Sequence, residues 1–255
     1  YPVAESLLRR FGDCPVIPVR RYRDVFARPK QDFRFQEDRP ALILAIKEPP
    51  FLYEGPDVCQ NFGADRFFYT GFVQNCLFRC SYCFLRGMYP SSYLTAFVNT
   101  DDFLRAIRDI SESAADEKVL IAASYDTDLL AFDPFYSYAD LLIESLKDCD
   151  NVTIELRTKS ADTRFYSRHK GDPGPVIAAF SIAPDDVIRA YERKTPPLIE
   201  RLNAARQAVE AGFPLRLCLD PIFPEERFLP QYDEFFALLF SVIAPEQIRD
   251  MSYGF

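Results

Sequence analysis

Three cysteines crowded into eight positions constrain this chain more than any other feature of its sequence. They occur as Cys76-Leu-Phe-Arg-Cys80-Ser-Tyr-Cys83, a C-x3-C-x2-C run. Thiolates are soft ligands that suit iron–sulfur clusters or zinc. Structural zinc usually takes four ligands, commonly from two ligand pairs, and no second pair follows this run. We therefore expect Cys76, Cys80 and Cys83 to bind a four-iron cluster that leaves one iron open.

Two alternatives for these thiols stay open: a zinc knuckle that borrows a distant cysteine, and three thiols buried in the core.

The four other cysteines are Cys14, Cys59, Cys149 and Cys218. An odd number of cysteines in a long chain without a leader segment indicates a reducing compartment, so we predict a cytoplasmic location. The chain opens at Tyr1 without a methionine, which suggests a trimmed start.

The composition excludes several other classes of protein and site. With 48% hydrophobic and 27% charged residues, the chain is typical of a globular protein. Its longest apolar stretch, 235–244, is ten residues long, and a membrane span needs about 20. Neither G-x-G-x-x-G nor G-x-x-x-x-G-K-[ST] occurs, which excludes the Gly-loop dinucleotide site and the P-loop nucleotide site. The single histidine, His169, excludes a multi-histidine metal site, and its polar surroundings predict a solvated loop residue.

The net charge of −8 is spread unevenly along the chain. Residues 1–50 carry ten basic and seven acidic side chains, so this segment is +3 and the remainder is −11. An acidic chain does not attract nucleic acid by its overall charge, so such binding requires a local basic groove. We predict that the N-terminal arginines form a solvated face, and contact with phosphate is the alternative.

Beyond residue 65, short β-branched or aromatic runs alternate with helical stretches, as expected for βα units. We predict strands at 67–73, 119–124, 152–158, 176–182, 215–222 and 248–253, and helices at 101–113, 135–147, 197–211 and 231–243. This order predicts an α/β fold with a partial parallel (β/α)6 barrel over 66–255 and an N-terminal accessory layer over 1–65. The site would lie at the carboxyl ends of the strands, where the cysteine loop follows the first strand.

Several blocks of the sequence carry a resemblance that covers nearly the whole chain. They are IELRTKS at 154–160, AAFSIAP at 178–184, IRAYERKTPPLIERLNAARQAVEAGFP at 188–214 and DPI at 220–222, together with the cysteine loop. With these blocks the chain resembles the spore photoproduct lyases, a family of radical S-adenosylmethionine (SAM) enzymes. IELRTKS and YERKTPPLIERL are more diagnostic than the cysteines, which the whole superfamily shares. Family members repair a methylene-bridged thymine dimer in spore DNA.

The resemblance implies a cofactor set and partners. Cys76, Cys80 and Cys83 would hold a [4Fe-4S] cluster whose open iron takes the amino and carboxylate groups of SAM. The positions that match the family's SAM contacts are Tyr82, Thr127, Lys159, Ser181 and the backbone of Asp220. The implied partners are DNA that carries a thymine photolesion and an electron donor of the flavodoxin or ferredoxin type.

Two positions depart from the family pattern. Tyr125 replaces the cysteine that returns a hydrogen atom to the product radical, and Phe84 replaces a tyrosine after the last cluster cysteine. We predict that Tyr125 or Cys218 returns the hydrogen, because alternation along a strand puts Cys218 on the same face as Asp220. The alternatives are that Tyr125 only packs and that Cys218 is a small buried apolar residue. The chain stops at Phe255, whereas the family's lesion-binding residues continue further.

These features predict a radical SAM lyase that generates a 5′-deoxyadenosyl radical for the repair of a thymine photolesion. One alternative is a radical SAM enzyme of the same fold that acts on a different nucleic-acid or small-molecule substrate. Another is a non-catalytic iron–sulfur carrier or sensor. A carrier needs no SAM-binding strand ends, so Lys159 and Ser181 argue against it.

Overall fold

Helices and short strands alternate through residues 1–56, 58–224 and 228–255, the part of the chain that the computed structural model describes. The helices are α1 (Pro2–Arg10), α2 (Arg23–Phe26), α3 (Phe33–Asp38), α4 (Leu85–Met88), α5 (Thr100–Ser113), α6 (Leu129–Phe132), α7 (Tyr138–Ser145), α8 (Arg164–Arg168), α9 (Asp185–Tyr191), α10 (Leu198–Glu210) and α11 (Phe228–Val242). The strands are β1 (Leu42–Ala45), β2 (Tyr53–Glu54), β3 (Arg66–Tyr69), β4 (Val73–Gln74), β5 (Arg79–Cys80), β6 (Leu94–Phe97), β7 (Val119–Ala122), β8 (Val152–Thr158), β9 (Val176–Ser181), β10 (Glu192–Arg193), β11 (Leu215–Leu219) and β12 (Ile248–Tyr253).

A seven-stranded sheet in the order β12-β11-β9-β8-β7-β3-β2 organises the fold. Its strands from β3 to β12 are parallel, and β2 joins the edge antiparallel to β3. β9 and β11 are buried at every position, as is usual for parallel strands that are covered on both faces. These findings confirm the predicted α/β class, and the six parallel strands correspond to the six predicted ones. Their carboxyl ends share one edge of the sheet.

A second sheet connects the N-terminal segment to the region after the cysteine loop. β1 pairs with β6 in parallel, from Leu42 opposite Leu94 to Ala45 opposite Phe97. β4, just before the cysteine loop, pairs with the other side of β6 in antiparallel direction. The N-terminal segment therefore contributes a strand to the sheet that supports the cysteine loop, while the division at residue 65 stays a prediction.

Local sequence explains where the crossover helices begin and end. Asp128 caps α6 by accepting a hydrogen bond from the Ala131 N–H, and Ser137 caps α7. After α10, Gly212 adopts a φ of +97°, a conformation that glycine tolerates without strain. The helices thus return the chain to the same end of the sheet for each new strand.

Four of the six predicted strands run past the observed ends, and the first and the fifth do so by three residues or more. The first ends at Tyr69 instead of continuing to residue 73, because Val73 leaves the parallel sheet and pairs with β6. The fifth ends at Leu219, since Pro221 has no N–H to donate to a ladder. The residues that follow these shortened strands are free to form the loops at the carboxyl edge.

The most apolar helix, α11, packs along one side only. It buries Phe235 and Leu239, whereas Phe240 is exposed. In the described ranges we find no helix with the length and hydrophobicity to cross a bilayer.

Candidate active site at the carboxyl edge of the parallel sheet

The cysteine loop is held at both ends by backbone and side-chain hydrogen bonds. Cys80 lies in β5, which pairs antiparallel with β10 so that Cys80 is opposite Glu192. Before Cys76, Asn75 donates its amide hydrogens to the carbonyls of Ser91 at 2.7 Å and Tyr93 at 2.8 Å. The loop is therefore fixed on the sheet from two directions.

The three thiols form a donor set that fits an iron–sulfur cluster. All three are free, and burial raises the pKa of Cys76 to about 12 and that of Cys80 to about 11. Thiolates are soft ligands of the kind that iron–sulfur clusters take. In a four-iron cluster each thiolate can bind a different iron, so the thiols need not converge on one point.

A buried ion pair supports the tyrosine of the loop. The Tyr82 hydroxyl donates a hydrogen bond to one carboxylate oxygen of Glu192 at 2.5 Å, and the Arg201 guanidinium binds the other oxygen. Arg201 also donates to the carbonyl of Pro196 at 2.9 Å and to that of Ser181 at 3.0 Å. Burial, and then the Glu192 carboxylate, raise the pKa of Tyr82. This network joins the loop to the end of β9.

Asp128 holds the strand end that carries Lys159. Its carboxylate accepts hydrogen bonds from the Lys159 backbone N–H at 2.6 Å and from Thr158 Oγ1 at 2.8 Å. Burial raises the pKa of this carboxyl, and the hydrogen bonds oppose the shift. The Lys159 ammonium lies 5.8 Å from the centroid of the Tyr82 ring, within cation–π distance. Lys159 and Tyr82 therefore meet beside the cysteine loop, and the lysine charge also acts on the Cys80 thiol.

The other three positions predicted to contact SAM also lie at the carboxyl edge. Thr127 is buried in the loop after β7, and Ser181 is the last residue of β9. Asp220 directly follows β11, and its carboxylate accepts a hydrogen bond from Arg157 at 2.7 Å. The structure thus places Tyr82 in the cysteine loop and the four later positions at or after strand ends of the parallel sheet, while their contacts with SAM stay predictions.

Tyr125 belongs to an aromatic stack beside the cysteine loop. Its ring stacks on Tyr69 at 4.1 Å between centroids, and Tyr69 stacks on Tyr53 at 5.2 Å. The Phe84 ring is tilted against the Tyr125 ring, with 5.7 Å between their centroids. Burial raises the pKa of Tyr125, so the phenol retains its hydrogen at neutral pH. Tyr125 and Cys218 are not neighbours in the sheet, because Tyr125 follows β7 and Cys218 lies on β11, with β8 and β9 between them.

Cys218 lies among charged side chains. It is 1% exposed and shares one face of β11 with Arg216 and Asp220. Arg157 binds Glu155 at 3.1 Å as well as Asp220, and Arg216 also binds Glu155. Burial raises the pKa of the Cys218 thiol to about 12, and the positive charge of Arg157 opposes this shift. Cys218 is therefore buried, as one alternative expected, but its neighbours form ion pairs; its role in hydrogen return stays a prediction.

His169 lies in a turn after α8, as the loop prediction expected, but its side chain is not solvated. Its side chain is 14% exposed, its ring packs on Phe165, and its Nε2 lies 2.8 Å from Asp140 Oδ1. His169 is the C-cap of α8. Its role is structural in these contacts, and none of them involves a residue of the candidate site.

Sequence reasoning missed three residues that hold the site together. Glu192 and Arg201 lie inside the diagnostic block at 188–214, but nothing local showed that they pair with each other or with Tyr82, which is 110 positions from Glu192. Asp128 was visible as a polar residue after the second strand. A carboxylate at a strand exit, one residue before a helix, could have indicated its capping role.

Comparisons with known proteins agree with the fold and the loop. Residues 68–255 match the profile of the family described as spore photoproduct lyase. The spore photoproduct lyase of Bacillus subtilis (strain 168) is 26% identical over 185 residues, which are 71% of this chain and 53% of that protein. A solved spore photoproduct lyase variant with bound AdoMet and dinucleoside spore photoproduct covers 99% of this chain and 74% of its own, with a TM-score of 0.78 and 21% identity.

The matched proteins are longer than this chain. The chain spans about half the length of the relatives from Bacillus subtilis and from Geobacillus sp. (strain Y412MC61), 53% and 52% respectively. A third relative, from Clostridium acetobutylicum, is 24% identical over 92% of this chain and 68% of its own length. The shared region therefore includes the cysteine loop and the parallel sheet.

Removing the buried arginine should destabilise the protein strongly. Arg201→Met leaves the Glu192 carboxylate buried without its partner, so we expect the free energy of unfolding to fall by about 3–5 kcal/mol. The control is Arg206→Met on the same helix, where the arginine is partly exposed and pairs with Glu210. This change should cost about 0.5 kcal/mol or less. Anaerobic denaturant titrations measure both, and equal losses would show that the buried pair does not stabilise the loop.

Proposed function

Since the chain belongs to the spore photoproduct lyase family, we propose that it is a radical SAM lyase that repairs a thymine photolesion in DNA. The observation that carries the proposal is the meeting of the three-thiol loop with Lys159 and Tyr82 at the carboxyl edge of the sheet. Three thiols alone would suit a carrier as well. A lysine held at a strand end beside them provides a site for an anionic group of a second cofactor.

In this proposal the loop and the strand ends divide the binding of the two cofactors. Cys76, Cys80 and Cys83 are the ligands of a [4Fe-4S] cluster, and the fourth iron is left for SAM. The Lys159 ammonium pairs with the carboxylate or ribose of SAM. The hydroxyls of Tyr82, Thr127 and Ser181 hold the remaining polar groups of SAM. The backbone of Asp220, after β11, also contributes.

The chemistry that the cluster and SAM supply when bound is the reductive cleavage of SAM to methionine and a 5′-deoxyadenosyl radical. The chain orients the reactants and excludes water. The Glu192–Arg201 pair keeps Tyr82 in place, and Asp128 fixes the backbone of Lys159. Because these supports are buried, they hold the SAM site before any substrate binds.

A hydrogen atom must return to the product radical, and two residues of this chain are the candidates. Tyr125 retains its phenolic hydrogen, and its hydroxyl-bearing ring lies in the stack beside Phe84. Cys218 retains its thiol hydrogen, since burial among ion pairs keeps its pKa high. Tyr125 follows β7 and Cys218 lies on β11, with β8 and β9 between these strands in the sheet, so mutation of each residue tests them separately.

We extend the proposal to the finer architecture, the location and the partners. The sequential order of six parallel strands supports a partial (β/α)6 barrel over 66–255, with 1–65 as an accessory layer. The seven unpaired cysteines support a reducing, cytoplasmic location. The relatives named for spore photoproduct support lesion-bearing DNA as substrate. A flavodoxin- or ferredoxin-type protein would supply the electron.

Loss of any loop cysteine should remove the cluster. Anaerobically purified protein should be brown and contain about four irons per chain, and Cys76→Ala, Cys80→Ala and Cys83→Ala should each bleach it. Cys14→Ala, Cys59→Ala and Cys149→Ala are the controls and should keep the colour. Iron analysis and visible absorption measure the result. A colourless protein loaded with zinc would contradict the proposal.

Loss of the lysine should weaken SAM binding and leave the cluster intact. Lys159→Met removes one charge-assisted contact, which is worth about 1.5–3 kcal/mol, so SAM affinity should fall about ten- to a hundred-fold. The cluster spectrum should not change. Lys170→Met alters an exposed lysine as the control. If equilibrium binding gives the same SAM affinity for Lys159→Met and the wild type, Lys159 does not contact SAM.

Hydrogen return should depend on one of the two candidates. Reduced enzyme, SAM and dinucleoside spore photoproduct are incubated anaerobically, and the wild type should give repaired dithymidine. Either Tyr125→Phe or Cys218→Ala should cleave SAM normally but yield a diverted product, and Cys149→Ala should behave as the wild type. Chromatography with mass spectrometry measures all products.

The same assay separates the alternative functions. If the wild type cleaves SAM without repairing the lesion, the substrate belongs to a different class and the radical SAM assignment holds. If the reduced protein carries a cluster but does not cleave SAM, the carrier alternative is correct.

A further inference from the structure

A cavity of about 230 Å³ lies between the cysteine loop and the N-terminal segment. Cys76 and Cys83 line one wall, and Phe33 and Gln36 of α3 line the opposite one. The described residues that line it include none of the five positions assigned to SAM. The cavity therefore borders two of the three loop thiols and none of the positions assigned to SAM.

The residues around this cavity carry an excess of positive charge. Arg79 and Arg86 line it and share one carboxylate, that of Glu37, at 2.8 Å and 3.3 Å. Lys194 also lines it, and its neighbour Arg193 is exposed beside it. Within the described residues, neither Lys194 nor Arg193 makes an ion pair or a side-chain hydrogen bond. Three cations and one carboxylate thus line the cavity, and Arg193, opposite Arg79 in the β5–β10 ladder, adds a fourth cation beside it, in a chain whose net charge is −8.

Apolar side chains are exposed on the two helices that contribute to the cavity. Phe35 on α3 is 53% exposed, and Met88 at the end of α4 is 50% exposed. Both helices also supply lining residues, Glu37 from α3 and Arg86 from α4. Cationic residues together with exposed aromatic and methionine side chains are enriched where one protein docks on another.

We propose that an acidic one-electron carrier protein docks on this cationic rim, defined by Arg79, Arg86, Arg193 and Lys194, and reduces the cluster through this side. The inference rests on the proposed function, because only a cluster needs such a donor. The carrier loses one electron and the cluster gains one, and no bond forms or breaks. A rim of this sign attracts an acidic partner and speeds its association.

The position of the rim favours a protein donor over DNA. A lesion in DNA must reach the carboxyl edge near Lys159 and Tyr125, where the radical would be formed. The rim lies instead on the side that faces α3, and its cavity leads to the thiols of Cys76 and Cys83. A donor that covers the cavity would face two of the three thiols that hold the cluster.

Charge reversal at Arg193 and Lys194 tests the docking. The probe is a reduced flavodoxin, an acidic flavin protein, added anaerobically to the cluster-loaded enzyme. For Arg193→Glu combined with Lys194→Glu, the association rate should fall roughly ten-fold or more, and wild-type binding should weaken as salt is raised. Lys170→Glu makes the same kind of charge change at an exposed lysine elsewhere and should bind as the wild type.

Three further readouts make the outcome decisive. Reduction of the cluster by flavodoxin, followed as loss of visible absorbance, should slow in the double variant. Reduction of the cluster by dithionite, and the SAM cleavage that dithionite drives, should not change. Flavodoxin binding and bleaching at wild-type rates would overturn the docking proposal. If the double variant binds duplex DNA more weakly but flavodoxin as before, the rim belongs to nucleic acid. That result would also overturn the docking proposal. Failure of dithionite to drive SAM cleavage in the wild type would instead contradict the proposed function, while flavodoxin binding still tests the rim.

Discussion

The buried ion pair between Glu192 and Arg201 is the interaction on which the geometry of the site depends. Burying two charges costs several kcal/mol for each ion unless hydrogen bonds satisfy them. Here Arg201 is satisfied by a carboxylate, a threonine hydroxyl and two backbone carbonyls. Glu192 in turn accepts from Tyr82 and lies opposite Cys80 in the β5–β10 ladder. One network therefore connects the cysteine loop, the end of β9 and α10.

A second polar system fixes the neighbouring part of the carboxyl edge. Asp128 caps α6 and at the same time accepts from the backbone of Lys159. Farther along the sheet, Glu155, Arg157 and Asp220 form ion pairs across β8 and β11. This charged face continues away from the edge, because Arg216 near the start of β11 binds both Glu155 and Asp250.

The two departures from the family pattern meet in the structure. Phe84 and Tyr125 are 41 positions apart in the sequence, yet their rings contact each other at 5.7 Å. Both rings belong to the stack that continues through Tyr69 to Tyr53. A change at one position therefore alters the surroundings of the other, and the two departures form a single local difference at the edge where hydrogen return is proposed.

The sequence by itself determined the α/β class, the six parallel strands and the loop of three thiols. These features depend on local periodicity and on spacing within eight positions, which the order of residues shows directly. Strand ends were less predictable, because Val73 pairs with β6 in the second sheet instead of continuing the first parallel strand. Only the tertiary structure decided the pairing of Glu192 with Arg201 and Tyr82, the contacts of His169 with Asp140 and the ion pairs around Cys218. Each of these depends on side chains far apart in the chain, and the energy of a buried charge or hydrogen bond depends on the partner that folding brings to it.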